Sequence, residues 1–473
     1  MLETISEWQT LLPLTSSEQN GENMNTYKYN GREIPVIGGY DTVIVGGGTA
    51  GASCGISAGR EGNRVLIIEK GISLGGAAVN ALVTPVMESF VPHEQNFRDI
   101  EEELKKRGVT TRDGIMEYVY STPETRQEVL EELFLGTGGD ILYDTVFSDV
   151  VVEEKRIKYL IVSNVSGLTA VKASQFVDAT GDAVLSRAAG VPYTSGDDEG
   201  NNQISSLRFE MGGIDINRYR DYCLSLEDTF SPLVNGYFFE SAMVKNKGFK
   251  LEPLFRKGIE AGILKEEDLF YYQCFSLPGE PGCMSFNCPH LSKMKNNTDA
   301  FERSRSLSEG RKMIRRLVTF LQKMMPGFEN SYLIRIANEI GIRESYRIVG
   351  KYVLREEDYI KRARFDDAVA KGDWYIDVHS ATKGLVHMEK YKKGEYYEIP
   401  YRCLINDKVD NLLTIGRCIS TTFLVQASIR VQACVTDQGD CAGKACARAL
   451  KAGVELADFD GKGLCTGKAD NGK

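Results

Sequence analysis

Long apolar runs are missing from this sequence. No stretch reaches the roughly 18 consecutive apolar residues that a membrane helix needs, so no membrane partner is expected. A basic excess is missing too. With 57 Lys and Arg against 66 Asp and Glu, the net charge is −9, which argues against a nucleic-acid partner held by its phosphates. The opening residues, "MLETISEWQTLLPLTSSEQN", have neither the basic start nor the apolar core of a secretory leader. There is no C-x-x-C, and the C-x4-C pairs Cys283/Cys288 and Cys441/Cys446 lack the further C-x2-C of an iron–sulfur set. Zinc and calcium spacings are also lacking, so no metal site is expected. The eleven cysteines are odd in number and scattered, which points to reduced thiols and a cytoplasmic location. Histidine is scarce, with only four in the chain.

What is present fits two interleaved domains. The chain has 473 residues, 42% hydrophobic and 26% charged, an ordinary globular balance. Residues 1–35 are polar and read as an arm on the body. From Asp41 the pattern is βαβ: the buried strand "TVIVG", a small-residue helix from Thr49 to Arg60, then the buried strand "RVLIIEK". "DIEEELKKRG" reads as a solvated helix, and strands return at "DILYDTVFSDVVVEEKRIKYLIVSN" and "ASQFVDATGD". The middle of the chain mixes aromatic strands with helices such as "EGRKMIRRLVTFLQKMM", where Met313, Leu317, Phe320 and Leu321 recur at helical spacing. A buried strand at "NLLTIGRCIS" and a Gly/Ala-rich helix near "DQGDCAGKACARALKAG" follow. The fold class expected is α/β. A Rossmann-like dinucleotide domain is built from residues 36–200 and 396–455, an α+β substrate or cap domain is inserted at 201–395, and 456–473 form a tail.

Gly46, Gly48 and Gly51 form G-x-G-x-x-G. With glycine at about one position in ten, the pattern would arise by chance roughly half a time in such a chain, so context must decide. A strand enters the motif, a helix leaves it, and Glu69 closes the second strand 18 residues after Gly51. Gly46 makes the turn, Gly48 admits a pyrophosphate close to the backbone, and Gly51 lets helix and strand pack. The helix N-terminus offers free N–H groups to phosphates. Glu69 accepts from ribose hydroxyls, and Lys70 beside it joins the cofactor side. A dinucleotide is expected here. Three further stretches favour FAD over NAD: "GISLGGAAVN" with Gly75 and Gly76, "VDATGDA" with Thr180, Gly181 and Asp182, and "IGRCIS" with Gly416 and Arg417. A long flavin cofactor touches several remote segments, and a second glycine motif for a nicotinamide domain is absent.

At these residues the chain resembles the FAD-dependent oxidoreductases with the glutathione-reductase-type FAD fold. It is most similar to a bacterial family of such oxidoreductases related to the flavin subunits of fumarate and heterodisulfide reductases. The resemblance runs from about Tyr40 to Gly453 and includes "GFENSYLIRIANEIGIRESYRIVGKYVLREED", "RFDDAVAKGDWYIDVH", "EIPYRCLINDKVDNLLTIGRCIS" and "SIRVQA". It implies that Gly46, Gly48, Gly51 and Glu69 meet the ADP half of FAD, with Val146 beside adenine. It places Gly181 and Asp182 near the cofactor and Gly416 and Arg417 by the ribityl–pyrophosphate stretch. Members of the family often carry two histidines between "GRCIS" and "SIRV". Here Phe423 and Gln426 stand in their place, so any acid–base role of those histidines does not carry over.

The activity expected is hydride transfer between a small polar or anionic organic substrate and flavin N5. The alternatives are a flavin electron-transfer subunit serving a redox partner protein and a non-catalytic FAD-fold scaffold. The electron acceptor and a homo-oligomeric state are left open. Arg430, near the helix that follows "SIRVQA", is a candidate cation for the reduced flavin. Arg343 and Arg347 in "GIRESYRIVG" would share a helix face and form a fork for an oxyanion, or a salt-bridge cluster with Glu339 or Glu344. His379 is a candidate proton carrier lining the flavin cavity. Arg402 and Gln426 are substrate-side candidates, and His93 is a weaker one. His290 and His387 read as ordinary surface or core residues, and the cysteines as core.

Overall fold

The unbroken apolar runs Val43–Val45 and Val65–Ile68 are buried on both faces of one sheet, as parallel strands flanked by helices must be. The computed structural model describes residues 25–107, 109–112, 117–227, 239–277, 279–380, 384–388 and 391–466. Most of the expected arm, and the tail from residue 467 on, lie outside the described residues.

Five strands of the main sheet run parallel, in the order Asp140–Leu142, Val65–Ile68, Arg32–Val45, Gly167–Asp178, Leu412–Thr414. Val43 faces Leu66 on one side and Phe176 on the other, and Phe176 in turn faces Leu412. The sheet therefore closes around a strand that arrives more than two hundred residues later. Arg156–Asn164 and Val146–Glu153 extend the same sheet as an antiparallel meander, and Thr26–Tyr29 pairs back onto Arg32–Val45. This is the α/β, Rossmann-like arrangement expected.

On one face lie two helices, Thr49–Arg60 and Gln432–Ala452. They approach so closely that a Cβ at Gly439 would collide with the carbonyl oxygen of Ala50. One at Gly443 would collide with that of Cys54. The Ser53 hydroxyl donates to Thr436 O across the same seam at 2.7 Å. The composition "GASCGISAG" against "GDCAGKACA" is thus a packing device, because only small side chains let two backbones come this near.

A second sheet of five antiparallel strands has the order Glu240–Val244, Tyr271–Ser276, Met284–Phe286, Phe209–Gly212, Tyr332–Ile336. The long helix Ala300–Met324 packs against it through Leu317, Phe320 and Leu321 of the expected stripe, joined by Ile314, whereas Met313 is buried outside that core. Asp299 caps that helix by accepting from Glu302 N at 2.6 Å. The two cores divide the middle of the chain between them. Residues from Leu207 to Ala337 build the second sheet's core, whereas Leu354 to Ile405 share the core of the two glycine-rich helices.

One local expectation is corrected. The shared helical face for Arg343 and Arg347 does not form: residues 342–345 have no regular structure, and Tyr346–Ile348 is a strand paired with Tyr193–Ser195. The β-branched and aromatic residues of "SYRIVG" favour an extended chain, and the pairing with Tyr193–Ser195 fixes it.

The helix seam yields a stability test. Gly443→Ala should destabilise the protein by about 1–3 kcal/mol, the usual cost of forcing atoms into a filled core. A chemical denaturation midpoint unchanged from the parent would show that the two helices can part without loss.

Candidate functional site

The first strand ends at Val45, and the chain turns at Gly46 with φ of +100°. A side chain there would meet the Ala179 carbonyl at 2.6 Å, so conformation and space both require glycine. Gly48 forms an isolated parallel bridge with Gly75, and Gly75 N donates to Gly47 O at 2.9 Å. A Cβ on Gly76 would stand 2.9 Å from the Gly48 Cα. A Cβ on Gly51 would run into the Gly46 carbonyl. Two bare backbones therefore face each other at the start of the Thr49–Arg60 helix. No side chain caps that helix, which leaves its first-turn N–H groups to a ligand. The cradle fits a pyrophosphate.

Glu69 secures the cradle. Its carboxylate accepts from Gly47 N at 2.7 Å and from Gly71 N at 2.8 Å. Burial raises its pKa, against the lowering effect of these two donors. Lys70 instead turns to Glu339 at 3.2 Å. Val146 opens its strand with 52% of its surface exposed.

On the neighbouring strand crossing, the Asp178 carboxylate accepts from Thr180 N, the Thr180 hydroxyl and Ser186 N. The next acid, Asp182, collects three segments. It accepts from Arg417 at 2.6 Å, Ser345 Oγ at 2.6 Å and Arg303 at 2.8 Å. Burial works to raise its pKa, but Arg417 and Arg303 outweigh it, and the carboxyl is held down to about 2. Arg417 also donates to Gly181 O at 2.9 Å and to Ile342 O. Gly416, with φ of +83°, brings this loop against Ala50.

Arg343 follows directly on Ile342. Three irregular segments converge there, laced by backbone bonds. Ser206 and Gly341 exchange two hydrogen bonds, Leu291 N donates to Ser205 O, and Ile204 N donates to His379 O at 2.8 Å. Arg343 is 8% exposed, and its guanidinium donates to Ile204 O at 2.7 Å. Its other terminal nitrogen lies 3.3 Å from His290 Nε2. His290, 1% exposed, stacks on Tyr271 with ring centres 4.1 Å apart. His379, 6% exposed, stands edge-on to His290 at 5.1 Å and within 3.4 Å of Asp377. Arg430 donates to Asp377 O at 3.2 Å. Gln426 donates to Arg343 O, and its own carbonyl accepts from Gln203. Four polar atoms around this cluster are buried without a partner among the described residues: His290 Nδ1, His379 Nδ1, Arg430 Nε and Gln203 Oε1.

Burial dominates the electrostatics. It pushes Arg343 down to about 9, helped by Arg430, and lowers Arg430 as well. Burial and then Arg343 push His379 down to about 4 and His290 well below the ordinary imidazole range.

Of the residues singled out in the sequence, Arg343, His379, Arg430 and Gln426 are thus brought together. Arg347 is not part of that cluster. It forms a buried ion pair with Glu344 and donates to Gly196 O and Thr421 O. Arg402 lies apart, paired with Asp367 at 2.9 Å. His93 sits between Asp437 and Ser89, each at 2.8 Å, strapping its segment to the Gln432–Ala452 helix. The His387 side chain lies outside the described residues, although its strand pairs with Asp377–Ser380. Sequence reasoning passed over His290, Tyr271, Asp377 and Gln203. No periodicity marks them, and only the scarcity of histidine could have drawn attention to His290.

A family model described as "FAD dependent oxidoreductase" matches residues 41–466, nearly the whole described chain. The chain belongs to the FAD dependent oxidoreductase family. It is an FAD-dependent enzyme, and FAD is its cofactor. The dihydrolipoamide dehydrogenase of Chaetomium thermophilum is 38% identical over 73 residues. That is 15% of this chain and 14% of the dehydrogenase, so the match spans about one-seventh of that relative's length. Among solved structures, p-nitrophenol 4-monooxygenase from Pseudomonas putida DLL-E4 is similar at 10% identity, with 89% of this chain and 83% of that one covered and a TM-score of 0.47. A geranylgeranyl bacteriochlorophyll reductase-like protein from Thermoplasma acidophilum is similar at 13% identity, with 88% and 80% covered and a TM-score of 0.44. No described helix is long and apolar enough to cross a membrane, and no group of three or more metal-ligating side chains occurs among the described residues.

The Asp182 node yields a test. Its carboxyl titrates lower in the folded chain than in the unfolded one, so the stability it contributes is present above about pH 4 and is lost as pH falls toward 2. Asp182→Asn should cost about 2 kcal/mol at pH 7, and its deficit against the parent should shrink over that acid window. Equal denaturant midpoints at pH 7 would show that Arg303, Arg417 and Ser345 are held by other contacts.

Proposed function

We propose that the enzyme transfers a hydride between a small polar or anionic organic substrate and the flavin, with Arg343, His379 and Arg430 as its chemical groups. The observation that carries this reading is the buried cluster of cations and neutral imidazoles with polar atoms unpartnered among the described residues, next to Ile342, whose carbonyl accepts from Arg417 in the loop that Gly416 sets against Ala50. Burying such groups unpaired costs stability, and they cluster where a ligand completes them.

On this reading the glycine cradle of Gly46, Gly48, Gly51, Gly75 and Gly76 binds the pyrophosphate of FAD through backbone N–H groups. Glu69 holds the cradle's shape and faces the ribose, with Lys70 and Val146 at the rim. Thr180, Gly181, Asp182, Gly416 and Arg417 line the stretch that leads toward Arg343. Bound FAD supplies a two-electron acceptor that takes hydride at N5. Arg343 and Arg430 draw and orient a negatively charged or carbonyl oxygen. His379, kept neutral by its surroundings, takes or gives the proton. Gln426 fixes the Arg343 main chain rather than touching substrate, and Gln203 fixes Gln426. A cytoplasmic setting suits the eleven cysteines, none of which is disulfide-bonded.

An absorption spectrum before and after acid denaturation should show flavin released from the purified protein. With a reducing substrate under anaerobic conditions, Arg343→Gln and His379→Gln should slow flavin bleaching by about 10²-fold or more while keeping FAD bound. Because a base must be unprotonated to act, the rate of the parent should fall only as pH drops through about 4. Variants that bleach as fast as the parent would remove these residues from the reaction.

A further inference from the structure

The hydrogen bonds assign the tautomers of the two buried histidines, and the two differ. A guanidinium has only N–H donors, so His290 Nε2, 3.3 Å from Arg343, must accept. A neutral ring that accepts at Nε2 carries its proton on Nδ1. His379 is the reverse. Its Nε2 faces the Asp377 carboxylate at 3.4 Å, so it carries the proton there and leaves a bare lone pair on Nδ1. Both Nδ1 atoms are buried and unpartnered. The two imidazoles therefore present one spare donor, His290 Nδ1–H, and one spare acceptor, His379 Nδ1, on rings 5.1 Å apart, with Gln203 Oε1 a second unpaired acceptor of the cluster. Arg430 Nε–H is a further spare donor.

The charges are also unmatched. Arg343 and Arg430 both sense Asp377; Arg343 is also repelled by Arg430 and Arg208, and Arg430 by Arg417. With both imidazoles neutral, the nearby guanidiniums outnumber that carboxylate. A site with this inventory is completed by a ligand that is an anion, accepts hydrogen bonds and has one hydroxyl hydrogen to give.

We propose, building on the hydride-transfer reading above, that the site takes a 2-hydroxycarboxylate. Its carboxylate is bound by Arg343 and Arg430, and its hydroxyl lies between His290 and His379. The hydroxyl oxygen accepts from His290 Nδ1–H, and the hydroxyl hydrogen is given to His379 Nδ1. In the oxidative direction the O–H proton passes to His379, the adjacent C–H bond yields its hydride to FAD, and the C–O bond becomes a carbonyl. The substrate loses two electrons and two hydrogens, and FAD gains the hydride. His290 is then a catalytic residue through its contact with the reacting oxygen, and Asp377 is a positioning residue that sets the His379 tautomer.

The test uses the FAD-loaded enzyme and ligands that cannot react. 2-Hydroxy-2-methylpropanoate has no hydrogen on its hydroxyl-bearing carbon, and 2-methylpropanoate lacks the hydroxyl. Titration calorimetry at pH 7 should show the hydroxy acid binding at least tenfold more tightly in the parent enzyme, since a site built to hydrogen-bond a hydroxyl discriminates against its absence. His379→Phe should erase that ratio while still binding both acids, and Arg343→Gln should abolish both. The parent comparison stands even if a variant fails to fold. Equal binding of the two acids, or no binding of either by FAD-loaded parent, overturns the proposal. Neither result touches the hydride-transfer reading, which falls separately if no reductant bleaches the bound flavin.

Discussion

The carboxylate of Asp182 is the point on which the two halves of the molecule depend. It sits at the end of a central strand crossing, yet its partners come from three other places: the loop after the last parallel strand, the irregular segment carrying Arg343, and the long helix of the second sheet. A single acid held by two guanidiniums and a hydroxyl fixes directions as well as distances, because each donor occupies its own lone pair. Arg417 extends the connection, with one guanidinium reaching Gly181, Asp182 and Ile342. The cofactor side of the chain is thereby set in register with the cluster that surrounds Arg343.

That cluster rests on backbone rather than on side-chain packing. Ile204 is its hub: its N–H donates to the His379 carbonyl and its own carbonyl receives the Arg343 guanidinium. Gly341 pairs with Ser206 from one side and His290 bridges Ser206 from another. Loops are ordinarily free to differ, but a loop bonded along its main chain to two neighbours behaves as part of a sheet. Side chains carried by such segments keep their aim. This explains how costly groups stay buried here. Two guanidiniums and two imidazoles removed from water would loosen a site held by packing alone, whereas this one is braced by backbone hydrogen bonds between its segments.

The parts of the fold that were legible in the sequence are those set by local pattern. Val43–Val45 and Val65–Ile68 are buried on both faces and read as continuous apolar runs; the Ala300–Met324 helix shows its stripe of Leu317, Phe320 and Leu321. The glycine turn was legible because Gly46 and Gly51 occupy positions where any Cβ collides. The neighbourhood of Arg343 was legible only in part. Arg343, His379 and Arg430 drew attention as residue types, but the spacing of Arg343 and Arg347 suggested a helix that strand pairing overrides. His290 could not be distinguished from a core histidine, because its importance comes from Tyr271 stacking on it and Arg343 reaching it from remote segments. Long-range convergence leaves no periodic trace.

The same contrast separates what the two kinds of structure do. The glycine-rich helices and parallel strands achieve contact by removing side chains, so their seam tolerates little change in volume and holds one geometry. Such a surface suits a cofactor's pyrophosphate, since backbone N–H groups read charge and shape without reading identity. The Arg343 cluster does the opposite. It spends buried polar groups that nothing among the described residues satisfies, and each of these has a direction and a sign. Discrimination between substrates requires such unmet groups, because a ligand that leaves one unpaired is penalised by the full cost of its burial. On the proposed reading, a scaffold that is complete without its ligand and a site that is not are complementary requirements, and Asp182 stands at the place where they meet.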